Sequence, residues 1–284
     1  MEVRYLFIHP PDLTEILLST PVIRAVVKSV EHAEVICAIP EAYSWLLESN
    51  PYVTSLVVYE KSPSKHINEF RDVAADYIVD LTGGRKLKWF KNRLRVMDFT
   101  LNQKSLNEIR SQDYFIEAAN QYIKAAFDML GVFDLEDDKS GLDFFYGHNR
   151  SFVEKAIPES FLDGYAVLDM PDEGPGDMDI AGPISELISR IERPLVLCGD
   201  EEWRLTGEEI MRRTGCTILS TCGDFFKLDR VFIRSGAKVL INIEEKKDVW
   251  ATIFNKPHFY IDLKANPDSW KSQVEEIRNY LKLG

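Results

Sequence analysis

Short apolar runs that end on chain breakers and hand over to amphipathic helices recur along the whole sequence, and this alternation restricts the fold more than any other feature. The first run, Val3 to Ile8, is mostly apolar, as a strand covered on both faces should be, and His9-Pro10-Pro11-Asp12 ends it. A helix is expected over about 14–29, with Leu17, Leu18, Val22, Val26 and Val27 at helical spacing and a kink at Pro21, which has no backbone donor. Further strands are expected at 34–39, 55–59, 77–81 and near 95–99, with helices at 41–48 and 65–75 and a long one from about Gln112 to Leu130. Gly83-Gly84 ends the fourth strand. The pattern restarts at Tyr165-Ala166-Val167-Leu168 and runs through strands near 194–198, 216–220, 238–243 and 258–262 to a last helix at 267–282. Such alternation implies parallel sheets with right-handed crossovers, an α/β fold. A chain of 284 residues is long enough for two domains of roughly 150 residues each. The boundary is expected between Tyr146 and Asp163, giving an N-terminal domain of 1–160 and a C-terminal domain of 161–284.

Charge narrows the function. The formal net charge of −12 argues against general nucleic-acid binding, which needs a basic footprint. No apolar run approaches the roughly 20 residues that span a bilayer, and the start of the chain lacks a leader pattern, so a cytoplasmic protein is expected. Cys37, Cys198, Cys216 and Cys222 have neither metal-ligand spacing nor the density of a disulfide scaffold and read as buried thiols. The five histidines show no metal-ligand spacing. One stretch departs from the acidic background: Arg85, Lys86, Lys88, Lys91, Arg93 and Arg95 fall together with no acid among them.

Residues 13 to 24, Leu-Thr-Glu-Ile-Leu-Leu-Ser-Thr-Pro-Val-Ile-Arg, carry a resemblance. They are similar to the first loop and helix of the heptosyltransferases of glycosyltransferase family 9, Leu-Gly-Asp-(aliphatic)-Leu-Leu-Thr-Thr-Pro-Val-(aliphatic)-Arg-Ala, with Glu15 in place of the catalytic aspartate and Thr14 in place of the glycine. The likeness continues at Ala33-Glu34-Val35, Asn50-Pro51-Tyr52-Val53, Asp76 to Leu81, Gly199 to Glu202 and Ala237 to Pro257. It implies a GT-B fold, two Rossmann-like domains with parallel sheets facing across a cleft, the second holding a nucleotide sugar and the first an acceptor. The activity implied is inverting transfer of a sugar, ADP-heptose by resemblance, to a lipopolysaccharide core or related glycolipid. No cofactor and no metal are expected. Peripheral contact with the inner membrane surface is left open.

The resemblance makes Glu15 the candidate base for the acceptor hydroxyl; a first-turn acid favoured by the helix dipole is the alternative. Its extra methylene moves the carboxylate by about 1 Å relative to an aspartate. The resemblance puts donor contacts on Glu202, matching the family's Gly-x-x-Glu segment, and on Glu244, Lys246 and Lys247; a helix-opening acid that needs no ligand is the alternative for Glu202, and exposed first-turn lysines are the alternative for Lys246 and Lys247. In that second stretch every signature position differs: Glu244 stands on the aspartate, Glu245 on the serine or threonine, Lys246 on the glycine and Val249 on the histidine. Two glutamates repel the diphosphate that a glycine and a helix N-terminus would hold. The loop after Met170, where the family has a cation, contains Asp172, Glu173, Asp177 and Asp179 instead. Arg85, Lys86, Lys88 and Lys91 are the candidate acceptor contacts, suited to phosphate and carboxylate, with a solvated helix face as the bland alternative. The rival function is a catalytically inactive relative that binds an anionic glycan or a protein partner.

Overall fold

A computed structural model describes residues 2–60, 62–84, 87–111, 115–145, 157–161, 163–171, 174, 180–214, 218–223, 227–243, 249–263 and 265–282. The chain divides into two compact units, Met1–Gly147 and His148–Gly284.

The first unit holds strands β1 (Val3–Ile8), β2 (Ala33–Pro40), β3 (Ser55–Tyr59), β4 (Tyr77–Asp80) and β5 (Met97–Thr100), all parallel, in the order β3-β2-β1-β4-β5. Its helices are α1 (Leu13–Leu18), α2 (Thr20–Ser29), α3 (Ile67–Asp72), α4 (Lys88–Leu94), α5 (Gln103–Arg110) and α6 (Phe115–Met129). Tyr5 to Ile8 are fully buried because helices cover both faces of the sheet. On one face Leu6, Ile8, Ile36, Ala38 and Ile78 pack with Phe70 of α3 and Phe90 of α4, whose rings meet edge to face at 5.0 Å. Full burial of such a ring stabilises by about 1.5–3 kcal/mol. On the other face α6 packs against α1 and α2.

The helix expected over 14–29 is two helices that meet at Ser19. Pro21 cannot donate to the Leu17 carbonyl; the Thr20 hydroxyl does so instead at 2.8 Å, and the Ser19 hydroxyl donates to the Ile16 carbonyl at 2.6 Å. The expected kink is therefore a break whose freed carbonyls are satisfied by side chains.

In the second unit β6 (Ala166–Asp169), β7 (Leu195–Cys198), β8 (Ile218–Ser220), β9 (Val239–Asn242) and β10 (His258–Tyr260) form a parallel sheet in the order β10-β9-β6-β7-β8. The described helices are α7 (Ala181–Ile191), α8 (Arg204–Thr214), α9 (Lys227–Gly236), α10 (Val249–Ile253) and α11 (Lys271–Lys282). Counted from its own first strand, this sheet repeats the order of the first. Its core joins Leu168, Leu197 and Ile241 of the strands to Ile184, Ile188, Trp203, Trp270 and Ile277.

Candidate functional site

In an open parallel sheet the strand order reverses at one point, and ligands bind beyond the carboxyl ends of the strands there. In the first unit that point lies between β1 and β4, where Ile8 is paired with Asp80. The residues that follow β1 and end β4, His9 and Asp80, are polar yet fully buried.

His9 is held on three sides. Its Nε2 is 3.0 Å from Ser19 Oγ, its Nδ1 is 3.3 Å from the Ala38 carbonyl, and the Tyr59 hydroxyl donates to its backbone oxygen at 2.7 Å. Burial lowers its pKa to about 4, so the ring is neutral at pH 7. The ring ties the end of β1 to the break between α1 and α2.

Asp12 caps α1, its carboxylate accepting from the Glu15 backbone N–H at 2.9 Å. Glu15 is buried in the first turn of that helix. Arg110, the last residue of α5, grips its carboxylate with two bonds, Nε to Oε1 at 2.5 Å and Nη2 to Oε2 at 3.0 Å. Tyr122 of α6 is fully buried in the field of Glu15, Arg110, Asp12 and Asp80, and burial, followed by Glu15, raises its pKa. Its hydroxyl has no hydrogen-bond partner among the described residues.

Asp80 accepts from the backbone N–H and hydroxyl of Thr82 at 3.0 and 2.7 Å and faces Lys91 Nζ at 3.0 Å. Lys91 also reaches Asp98 at 2.6 Å and donates to the Thr100 hydroxyl. Burial alone would lower the pKa of this ammonium, but Asp98 and Asp80 together raise it. The turn beyond Asp80 passes close to α5: at Gly83, φ is +64° and a Cβ would collide with Leu106 Cδ1.

The second unit carries a matching feature. Asp169 ends β6, is paired with Asn242 of β9, and lies at that sheet's reversal point. Arg234 of α9 grips it, Nε lying 3.1 and 3.0 Å from the two carboxylate oxygens and Nη2 2.5 Å from Oδ1. Beside them burial pushes the Cys198 thiol up to about 12.

The residues singled out from sequence lie in four different places. Glu15 lies at the reversal point, against Arg110. Lys88 is exposed on α4, whereas Lys91, on the same helix, points inward and is committed to Asp80 and Asp98, so it does not present a free charge to an acceptor. Glu202 is exposed in a short 3-10 turn, Glu201–Trp203. Arg85, Lys86, Glu244, Glu245, Lys246, Lys247, Cys216 and most of the acidic loop after Pro171 lie outside the described residues. Among the described residues no group of three or more His, Cys, Asp or Glu could hold a metal ion. Arg110 and Arg234 were not foreseen. Arg110 sits on a helix with only two apolar core residues, Leu106 and Ile109, a signal too weak to place it.

No family model matches the sequence, and no curated protein matches it. Solved structures do. The structure of a glycosyl transferase family 9 protein from Veillonella parvula aligns with a TM-score of 0.69 at 15% identity, covering 94% of this chain and 83% of that one. The E. coli ADP-heptose lps heptosyltransferase II aligns with a TM-score of 0.65 at 15% identity, covering 91% of this chain and 84% of that one. A UDP-GlcNAc 2-epimerase from Neisseria meningitidis, bound to UDP-GlcNAc, aligns with a TM-score of 0.53 at 11% identity, covering 100% of this chain and 94% of that one. The chain therefore has the two-unit, parallel-sheet α/β fold of GT-B proteins, a fold that these heptosyltransferases share with an epimerase.

Proposed function

We propose that the protein is a glycosyltransferase of the heptosyltransferase type, passing a sugar from a nucleotide donor, ADP-heptose by resemblance, to an anionic glycolipid such as a lipopolysaccharide core. The observation that carries this reading is the buried carboxylate of Glu15, set just beyond β1 at the reversal point of a sheet whose fold is shared with heptosyltransferases. In the reaction Glu15 takes the proton of the acceptor hydroxyl while that oxygen bonds to the anomeric carbon, and the bond to the nucleotide diphosphate breaks with inversion. One Glu15 oxygen has to exchange Arg110 for the acceptor hydroxyl before the step. Exposed Lys88, with Arg85 and Lys86, is assigned to acceptor phosphate or carboxylate. Glu202, Glu244, Lys246 and Lys247 are assigned to the donor side. The glycolipid substrate places the protein at the inner face of a membrane.

A thermal-shift panel with ADP, UDP, GDP and CMP, with and without Mg²⁺, tests the donor half of this reading, since binding to the folded state alone raises the midpoint. Stabilisation by one nucleoside diphosphate is expected, and Glu15→Gln should then abolish turnover while that shift persists. Silence across the panel overturns the transferase reading in favour of a glycan-binding or partner-binding protein.

A further inference from the structure

Helix α4 is divided sharply between an inner and an outer face. Leu87, Phe90 and Lys91 are buried, and Phe90 packs on Phe70. Lys88, Trp89, Arg93 and Arg95 are exposed. Trp89 leaves 57% of its surface to solvent, and the Arg93 guanidinium lies over its ring at 4.9 Å from the centroid. A tryptophan gains nothing from water there; a single apolar anchor ringed by cations is the composition of a surface that inserts shallowly among lipid headgroups. No acid occurs between Arg85 and Met97, and the first one beyond, Asp98, is held by Lys91. Lys88, Arg93 and Arg95 form no ion pair with any described residue, so their charge is directed outward. On the flanking helix α3, Glu69 is paired with His66 at 2.9 Å.

We infer that the outer face of α4, formed by Lys88, Trp89 and Arg93, together with Arg95 just past its end, docks on an anionic phospholipid bilayer, with Trp89 at headgroup level and the three cations on lipid phosphates. In a chain of net charge −12 such a patch would orient the molecule as well as bind it, since the remaining surface is repelled by the same membrane. The inference deepens the glycolipid reading by naming the surface that meets the membrane. It does not depend on donor chemistry, so a failure of nucleotide binding and a failure of lipid binding are separate results.

Co-sedimentation of the full chain with vesicles of phosphatidylethanolamine and phosphatidylglycerol, against vesicles of phosphatidylcholine alone, tests it. Binding to the anionic vesicles only, weakening as salt rises, is expected. Replacing Lys88, Arg93 and Arg95 together with Ser should lower the partition coefficient by about a hundredfold, at roughly fivefold for each cation held near an anionic surface. Trp89→Ser should lower it further and Trp89→Phe much less. All four side chains are exposed, so the variants should keep the thermal midpoint of the parent, which checks that they fold. Equal binding by parent and variants, or no binding of the parent to anionic vesicles, overturns the inference. So does equal affinity of the parent for both vesicle types. Loss of vesicle binding on addition of millimolar glucose 1-phosphate at constant ionic strength also overturns it, and identifies the patch as a soluble sugar-phosphate site.

Discussion

Arg110 closes on both oxygens of Glu15 across 95 residues of sequence, Nε at 2.5 Å from one and Nη2 at 3.0 Å from the other. The Glu15 side chain is only 6% exposed while that of Arg110 is 46% exposed, so one end of the pair is dry and the other is open to water. The buried end makes Arg110 the partner that keeps a desolvated carboxylate affordable, and the open end leaves it free to move.

The first prediction concerns that pair. Arg110→Ala should destabilise the protein by about 1–2 kcal/mol in urea unfolding, less than the roughly 3–5 kcal/mol of a fully buried pair because water reaches the guanidinium. Arg110→Lys should recover only part, since a point charge cannot grip two oxygens at once. The double variant Glu15→Gln with Arg110→Ala should be more stable than the sum of the single changes predicts. Additive losses would mean that the pair is not coupled.

Lys91 supplies the second prediction. Asp80 is fully buried, and Lys91 is its cationic partner at 3.0 Å. Lys91→Met should therefore cost about 3–5 kcal/mol by leaving a buried charge without its counter-ion, and adding Asp80→Asn should restore most of the loss. A ligand-facing lysine would behave oppositely, with unchanged stability and weakened ligand binding.

A third prediction follows from His9, buried and neutral with its pKa lowered to about 4 from an ordinary 6.5. Between those values the unfolded chain binds a proton that the folded chain refuses, so stability falls as the pH drops from about 6.5 to about 4 and is fully present above that window. The contribution is about 3 kcal/mol. Urea unfolding of His9→Gln should show a shallower pH dependence in that window than the parent; parallel curves would mean that another group sets the slope.

The strands were legible because parallel strands covered on both faces read as apolar runs, and Val3 to Ile8 or Leu195 to Cys198 admit little else. Helix α5 was not legible, since Gln103 to Arg110 offers Leu106 and Ile109 as its only core residues and its start depends on the Asn102 cap, 2.8 Å from the Lys104 N–H. Missing α5 meant missing Arg110, and with it the environment of Glu15. Likewise the basic run read as one surface, whereas the helical period turns Lys91 inward and leaves Lys88 and Arg93 outside. Residue types marked Glu15 as a candidate; long-range pairing, which no local pattern encodes, decided what it touches.

The last prediction concerns the segment 134–145, which has no helix or strand and is fastened to α2. Arg24, its side chain only 3% exposed, bonds Asp138 through Nε at 3.1 Å and Nη2 at 2.9 Å, the Gly141 carbonyl at 3.1 Å, and Asp143 through Nη1. Lys28 adds a bond to Asp138 at 2.7 Å, and Thr20 accepts from the Asp143 N–H at 2.9 Å. One buried guanidinium thus organises a stretch that cannot hold itself by backbone pairing. Arg24→Met keeps the length and the apolar stem but removes every donor, so the segment should detach while α2 stays folded. Hydrogen exchange should accelerate at least tenfold at the Ser140 and Asp143 amides, bonded at present to Asp138 and Thr20, with β1 and β2 unaffected. Lys28→Met should have a much smaller effect, because its amine is half exposed and water screens its ion pair. Unchanged exchange in Arg24→Met would show that the aromatic contacts of Phe144 with Trp45 and of Phe145 with Tyr52 hold the segment unaided.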